Sequence, residues 1–150
     1  MEFHDKDYKK EARERGIGNE SPARASDMVS LSIRNHPDVL FAYSNNYVEV
    51  ILRVENPAQH PIWAEADLVV PENLSLSPSS ALKKGRVRIG IVAKNEYLEK
   101  AVRVYSTSYT QPQMYRCNAT LYIFNHDGVI DERMEKAVDI RCEAKKEASL

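Results

Sequence analysis

The residues of this chain that could do chemistry are four histidines, two cysteines and one acidic loop. A metal site needs convergent ligands, usually three or four. His4, His36, His60 and His126 lie in the N-terminal segment or beside turn residues, and no H-x-H, H-x-x-x-H or C-x-x-C spacing occurs. They read as solvated loop histidines. His60 and His126 could pair only if their loops share one end of the molecule. Cys117 and Cys142 fall on the apolar side of alternating segments, so they read as buried, inert thiols. A disulfide between them is the alternative. No neighbouring motif would activate either as a nucleophile. Asn125-His126-Asp127-Gly128 and Asp131-Glu132 gather oxygen ligands, but without the regular acidic spacing of a calcium loop, and read as a hairpin turn. G-x-S-x-G and G-x-x-x-x-G-K-[ST] are absent. No catalytic, cofactor-binding or metal-binding residue is therefore assigned, and the chain is expected not to be an enzyme.

The strongest signal lies in the elements around these residues. Val48, Val50, Leu52 and Val54 alternate with polar neighbours, as do Val87, Ile89 and Ile91, and Cys117, Ala119, Leu121 and Ile123. Strand side chains point to opposite faces at each step, so this period marks half-buried strands. Strands are expected over Met28 to Arg34, Tyr47 to Glu55 and Ile62 to Val70, with a short strand at Val39 to Tyr43 and a brief extended piece at Leu74 to Ser77. Further ones span Arg86 to Ala93, Lys100 to Thr107, Met114 to Phe124 and Lys136 to Glu143. Asn-Pro, Pro-Glu-Asn and Asp-Gly clusters punctuate them. The last assignment competes with a C-terminal helix, since 131–148 is rich in helix formers. The alternation of Val138, Ile140 and Cys142 favours the strand. Pairing it so that Leu121 faces Val138, Ala119 faces Ile140 and Cys117 faces Cys142 matches apolar to apolar. That register requires a wide loop from Asn125 to about Arg133. A tight turn at Asp127-Gly128 would instead put Lys136 opposite Ala119.

Composition bounds the rest. A chain of 150 residues is expected to hold one domain. Lys and Arg number 21 against 22 Asp and Glu, which argues against generic nucleic-acid binding. No stretch approaches membrane-spanning length. The charged start, Met1 to Asp7, lacks an apolar run, so a cytoplasmic location is expected and the sequons at Asn73 and Asn118 are expected to be unused. Residues 1–26 read as a charged, mobile tail, 27–143 as the domain and 144–150 as a second tail.

The order of elements resembles an immunoglobulin-like sandwich. Tyr47 to Pro57, with its terminal Asn56-Pro57, and Asp67 to Leu74, with its Pro71-Glu72-Asn73-Leu74 turn, look like the B and C strands of CARDB-type and related modules of archaea and bacteria. Lys84-Gly85 before Arg86-Val87-Arg88-Ile89 fits their next strand. Tyr115-Arg116-Cys117 looks like a tyrosine corner. The resemblance implies an all-β, antiparallel immunoglobulin-like sandwich of about seven to eight strands. Two features depart from it. Leu52 stands where a B-strand cysteine would, and Trp63 shares its parity with Glu65 and Asp67 rather than with the core alanines. A bulge near Pro61 would turn Trp63 inward; otherwise it faces out.

Trp63, Tyr105, Tyr109, Tyr122 and Phe124 all fall on polar parities. Strands C and F are neighbours in this architecture, which puts Trp63, Tyr122 and Phe124 on one outer face. Arg86, Arg88, Arg103, Arg116 and Arg141 also point outward and read as an ordinary charged face. An exposed aromatic patch marks binding surfaces. The chain is therefore expected to be a non-catalytic interaction or assembly module. Its partner would be a protein or a second copy, contacted through Trp63, Tyr122 and Phe124. The rival expectation is a small-ligand-binding protein or small enzyme with its site in the loops at one end.

Overall fold

The computed structural model describes residues 29–145. The tail expected over 1–26 lies outside the described residues, as does most of the one expected over 144–150. Nine strands follow one another: β1 (Ser30–His36), β2 (Val39–Phe41), β3 (Tyr47–Asn56), β4 (Ile62–Val69), β5 (Leu74–Ser75), β6 (Lys84–Val92), β7 (Glu96–Ser106), β8 (Gln113–Phe124) and β9 (Ile130–Glu143). The count passes the expected range because β2 and β5 are pieces of three and two residues. They form two sheets, ordered β1-β3-β7-β5 and β2-β9-β8-β4-β6.

This is an all-β, immunoglobulin-like sandwich. β1, β3 and β7 take the places of strands A, B and E, while β9, β8, β4 and β6 take those of G, F, C and C′. β2 runs parallel to the end of β9, and all other pairs are antiparallel. β5 holds the D position beside β7, yet it precedes β6 in the chain, which departs from the immunoglobulin order.

Period-2 patterning builds the core. Val48, Val50, Leu52 and Val54 of β3 are fully buried against Ala64, Ala66 and Leu68 of β4 and Cys117, Leu121 and Ile123 of β8. Tyr115 closes one end of β8. Its phenol donates to the Gln111 carbonyl at 2.8 Å and accepts from the Gln111 N–H at 3.1 Å, the tyrosine corner expected from its place before Cys117.

The structure corrects two expectations of pairing. β8 and β9 join through a tight turn, in which the Asn125 N–H donates to the Val129 carbonyl and the Gly128 N–H to the Asn125 carbonyl. Ala119 therefore faces Lys136, Leu121 faces Met134 and Cys117 faces Val138. Cys142 lies opposite Gln113, four residues along the ladder from Cys117, or about 13 Å. No disulfide can span that separation, and both thiols are free and buried. The shift from the expected register is an even number of residues, so every side chain keeps its face. Lys136 is tolerated on the inner parity because β9 has no strand on its far side there, β2 pairing only with Arg141 to Glu143. Its ammonium reaches solvent past the sheet edge. Lys100 on β7 stands in the same way opposite the buried Leu52, on an edge that β5 covers only at Tyr105 and Ser106. Inward-pointing lysines at open edges discourage pairing with another chain.

The second correction concerns β6. Ala64 faces Gly90 but Glu65 faces Arg88, so Ile89 is an extra residue in the ladder. Gly90, at φ 108°, takes a conformation that L side chains rarely adopt. The bulge reverses parity beyond it. Ile89 is buried, while Ile91 turns outward instead of joining Val87 and Ile89.

Candidate interaction face

The outer face of the five-stranded sheet can be read in rows across β6, β4, β8 and β9. At one end lie Ile91, Trp63, Phe124 and Ile130, each directly opposite the next. Trp63 and Phe124 are in ring contact, with centroids 5.4 Å apart and planes inclined 38°. Ile91 is 70% exposed, Ile130 51% and Trp63 39%. The row after it is Arg88, Glu65, Tyr122 and Arg133; the one beyond is Arg86, Asp67, Thr120 and Glu135. An apolar strip across four strands thus borders a charged field.

Local chemistry fixes that strip. Asn56, buried at the end of β3, donates from Nδ2 to the His60 and Val92 carbonyls at 2.9 and 3.0 Å and accepts the Ala58 N–H at 3.0 Å. One side chain ties the β3–β4 loop to the end of β6, which sets Trp63 beside Ile91. The Gly90 bulge turns Ile91 out, and Asp131, an extra residue on β9, puts Ile130 opposite Phe124. Trp63 faces outward, and the bulges of this region lie on β6 at Ile89 and on β9 at Asp131 rather than near Pro61. Tyr122 shares the face but is half-buried, with the Arg86 guanidinium 5.1 Å from its ring centroid. The three expected residues are therefore brought together, with Tyr122 at the margin. Ile91 and Ile130 were missed. A glycine inside a strand was the available signal for the first.

The field beside the strip is paired in part: Arg86, Arg116, Arg133 and Arg141 have carboxylate partners, and among the described residues Arg88, in the row next to the strip, has none. Arg86 donates to both Asp67 oxygens, at 2.8 and 3.1 Å. That fork holds the Asp67 carboxyl below the usual range despite its burial, with Lys84 helping. Arg116 pairs with Asp139 at 3.0 Å and Arg141 with Glu143 at 3.1 Å. Arg116 likewise lowers the Asp139 carboxyl. Three of the five outward arginines named from the sequence, Arg86, Arg116 and Arg141, thus hold carboxylates.

The other candidate chemistry dissolves into structure. The loops of His60 and His126 do share the end that carries Trp63. Among the described residues, however, no three His, Cys, Asp or Glu side chains gather as metal ligands. His60 Nδ1 lies 3.2 Å from the Pro61 carbonyl and His126 Nε2 lies 3.5 Å from Asp127. Asn125 Oδ1 accepts the Asp127 and Val129 N–H groups, so it caps the turn. Burial pushes the Cys117 thiol up to about 12, far from a reactive thiolate.

No family model matches the chain, and no curated protein matches it. Solved structures do, at low identity. One is a CARDB domain from Pyrococcus furiosus in complex with di-metal ions, 20% identical over 78% of this chain and 94% of that one, at a TM-score of 0.46. Another is the complex of zinc 2-glycoprotein and prolactin inducible protein from human seminal plasma, 9% identical over 77% and 93%, at 0.49. A third is AvmM, which catalyses macrocyclization in alchivemycin A biosynthesis, 8% identical over 81% and 92%, at 0.48. The immunoglobulin-like assignment rests on the strand order given above.

Proposed function

We propose that this chain is a non-catalytic interaction module that binds a protein partner, or a second copy of itself, through the end of the five-stranded sheet. The observation that carries the reading is the strip Ile91–Trp63–Phe124–Ile130 beside a field most of whose arginines already hold carboxylates. Covering such a strip removes apolar surface from water and disturbs few ion pairs. Trp63 and Phe124 would be its anchors and Tyr122 its margin, since large rigid aromatics dominate interface energies.

Trp63→Ser combined with Phe124→Ser tests this. Sedimentation at several concentrations, and capture from native extract by the parent and the variant in parallel, would be compared. Association should weaken by about 2–4 kcal/mol, the range of interface anchors. Circular dichroism should stay unchanged, because both side chains point outward. Unchanged association by a folded variant would refute the reading.

A further inference from the structure

The opposite end of the sandwich holds a second feature. The start of β3, the end of β7 and the segment between β4 and β6 enclose a cleft of about 600 Å³. That size is typical of small-ligand sites. Tyr47 and Tyr105 face each other across β3 and β7, with ring centroids 5.6 Å apart and planes inclined 54°. Tyr109, in the loop after β7, adds a third ring and is 78% exposed.

Side chains tie this rim together. Asn46 donates to the Phe41 carbonyl at 2.8 Å and to Ser106 Oγ at 2.7 Å, joining the β2–β3 loop to the end of β7. Ser75 Oγ donates to the Ser80 carbonyl and accepts the Leu82 N–H at 3.0 Å, pinning the segment before β6. Thr110 Oγ1 donates to the Asn73 carbonyl and so fixes that side of the cleft. The cleft is therefore held in shape before any ligand arrives.

The groups left over define the ligand. Among the described residues, the phenols of Tyr47 and Tyr109 and the amides of Asn45 and Asn73 make no hydrogen bond within the protein, and all four residues line the cleft. Each amide offers a donor and an acceptor. Glu72 and Lys83 are the charged residues of the lining; Lys83 Nζ is spent on the Leu74 carbonyl, and the neighbouring Arg103 is spent on the Tyr105 phenol and on one face of Tyr47, 4.4 Å from its ring centroid. A peptide could not extend the sheet here, because β5 already occupies the edge of β7 at Tyr105 and Ser106. A purely apolar ligand would leave the amides unmatched.

We propose that the cleft binds a short, neutral oligosaccharide. A sugar ring presents a C–H face that packs on an aromatic wall and a rim of hydroxyls that exchange hydrogen bonds with amides and phenols. This proposal is independent of the apolar strip and would stand if that reading failed.

The test is titration of the full chain, labelled with carbon-13 in its tyrosine rings, against cellotriose, maltotriose, mannotriose and chitotriose. At least one should shift Tyr47, Tyr105 and Tyr109 saturably with a Kd of ~1 mM or tighter, while Tyr97 and Tyr122 stay still. Tyr109→Ala and Asn45→Ala should each weaken that binding about tenfold with circular dichroism unchanged. Three results would each overturn the proposal. The first is no saturable shift from any of the four sugars at ~10 mM. The second is equal movement of Tyr97 and Tyr122. The third is a cleft filled only by peptides from a display library.

Discussion

The two outer faces of the sandwich treat their aromatic residues differently. On the four-stranded sheet, the Arg53 guanidinium lies 3.6 Å from the Tyr97 ring centroid and that of Arg103 lies 4.4 Å from Tyr47. Arg53 also reaches Glu55 at 2.9 Å and Glu99 at 3.2 Å, and Arg34 joins Glu99 at 3.2 Å. On the five-stranded sheet, Arg86 covers Tyr122 in the same way, but among the described residues no cation lies over Trp63 or Phe124. Exposure alone misses this difference, since Tyr97 is 51% exposed and Trp63 only 39%. An aromatic on an outward parity becomes a candidate anchor for an apolar protein contact when no cation of the protein's own covers it.

The largest effect would come from the layer on which both faces hang. Cys117 is fully buried at the centre of β8. Cys117→Arg would place an unpaired charge there, at a cost of about 3–5 kcal/mol or more, comparable to the stability of a small domain. The variant should show no cooperative melting transition. A folded variant with the parent melting temperature would mean that the inner and outer faces of β8 are misassigned, and the comparison would collapse with them.

A matched pair of double variants comes next. Trp63→Ser with Phe124→Ser should lose association. Tyr47→Ser with Tyr97→Ser should keep it, at a somewhat lower melting temperature. Sedimentation and thermal melts read both. The reverse pattern would place the contact surface on the four-stranded sheet.

Parity was legible in the sequence; register was not. The inward set of β3, the outward Trp63, and the meeting of Trp63, Tyr122 and Phe124 follow from the period of two. A four-residue slip between β8 and β9 leaves that period untouched, so it could not be read from alternation. The apolar match of Ala119 with Ile140 pointed the wrong way because Lys136 sits on an open edge, a tertiary circumstance. Ile91 went astray because Val87, Ile89 and Ile91 continue the alternation straight through the Gly90 bulge. The arginine covers depend on cross-strand neighbours, so they could emerge only once the ladders were known. Half of the apolar strip was thus visible in the chain, and the other half needed the bulges on β6 and β9.

A smaller effect should come from the fork that holds Arg86 beside Tyr122. The Asp67 carboxyl is held below its usual range in the folded protein. A carboxylate with a lowered folded pKa adds stability above its unfolded value of about 4, and loses it as pH falls through the folded value. Asp67→Asn should therefore cost about 1 kcal/mol at pH 7. The gap should begin to narrow below about pH 4, where the unfolded residue protonates first, and should close as pH falls through the lower folded value. Urea midpoints at pH 7 and pH 3 would show it. An equal gap at both values would mean that the carboxylate charge adds nothing and that Tyr122 is covered for reasons of packing.

The smallest effect tests the cover itself. Arg53→Met keeps an unbranched stem against Tyr97 but removes the guanidinium, its attraction for the ring and its bonds to Glu55 and Glu99. The fold should persist, because Arg53 points outward and its partners are solvent-accessible carboxylates. Tyr97 would then resemble Trp63, a ring with an apolar neighbour and no cation. If the cover is what keeps the four-stranded face inert, the variant should acquire weak self-association where the parent has none through that face. The signal to seek is a concentration-dependent rise in sedimentation coefficient in the Trp63→Ser, Phe124→Ser background, where the other face has been silenced. A variant that stays monomeric there at every concentration would show that arginine cover does not separate the two faces. The strip at Trp63 would then owe its distinction to Ile91 and Ile130, the apolar flanks that Tyr97 lacks.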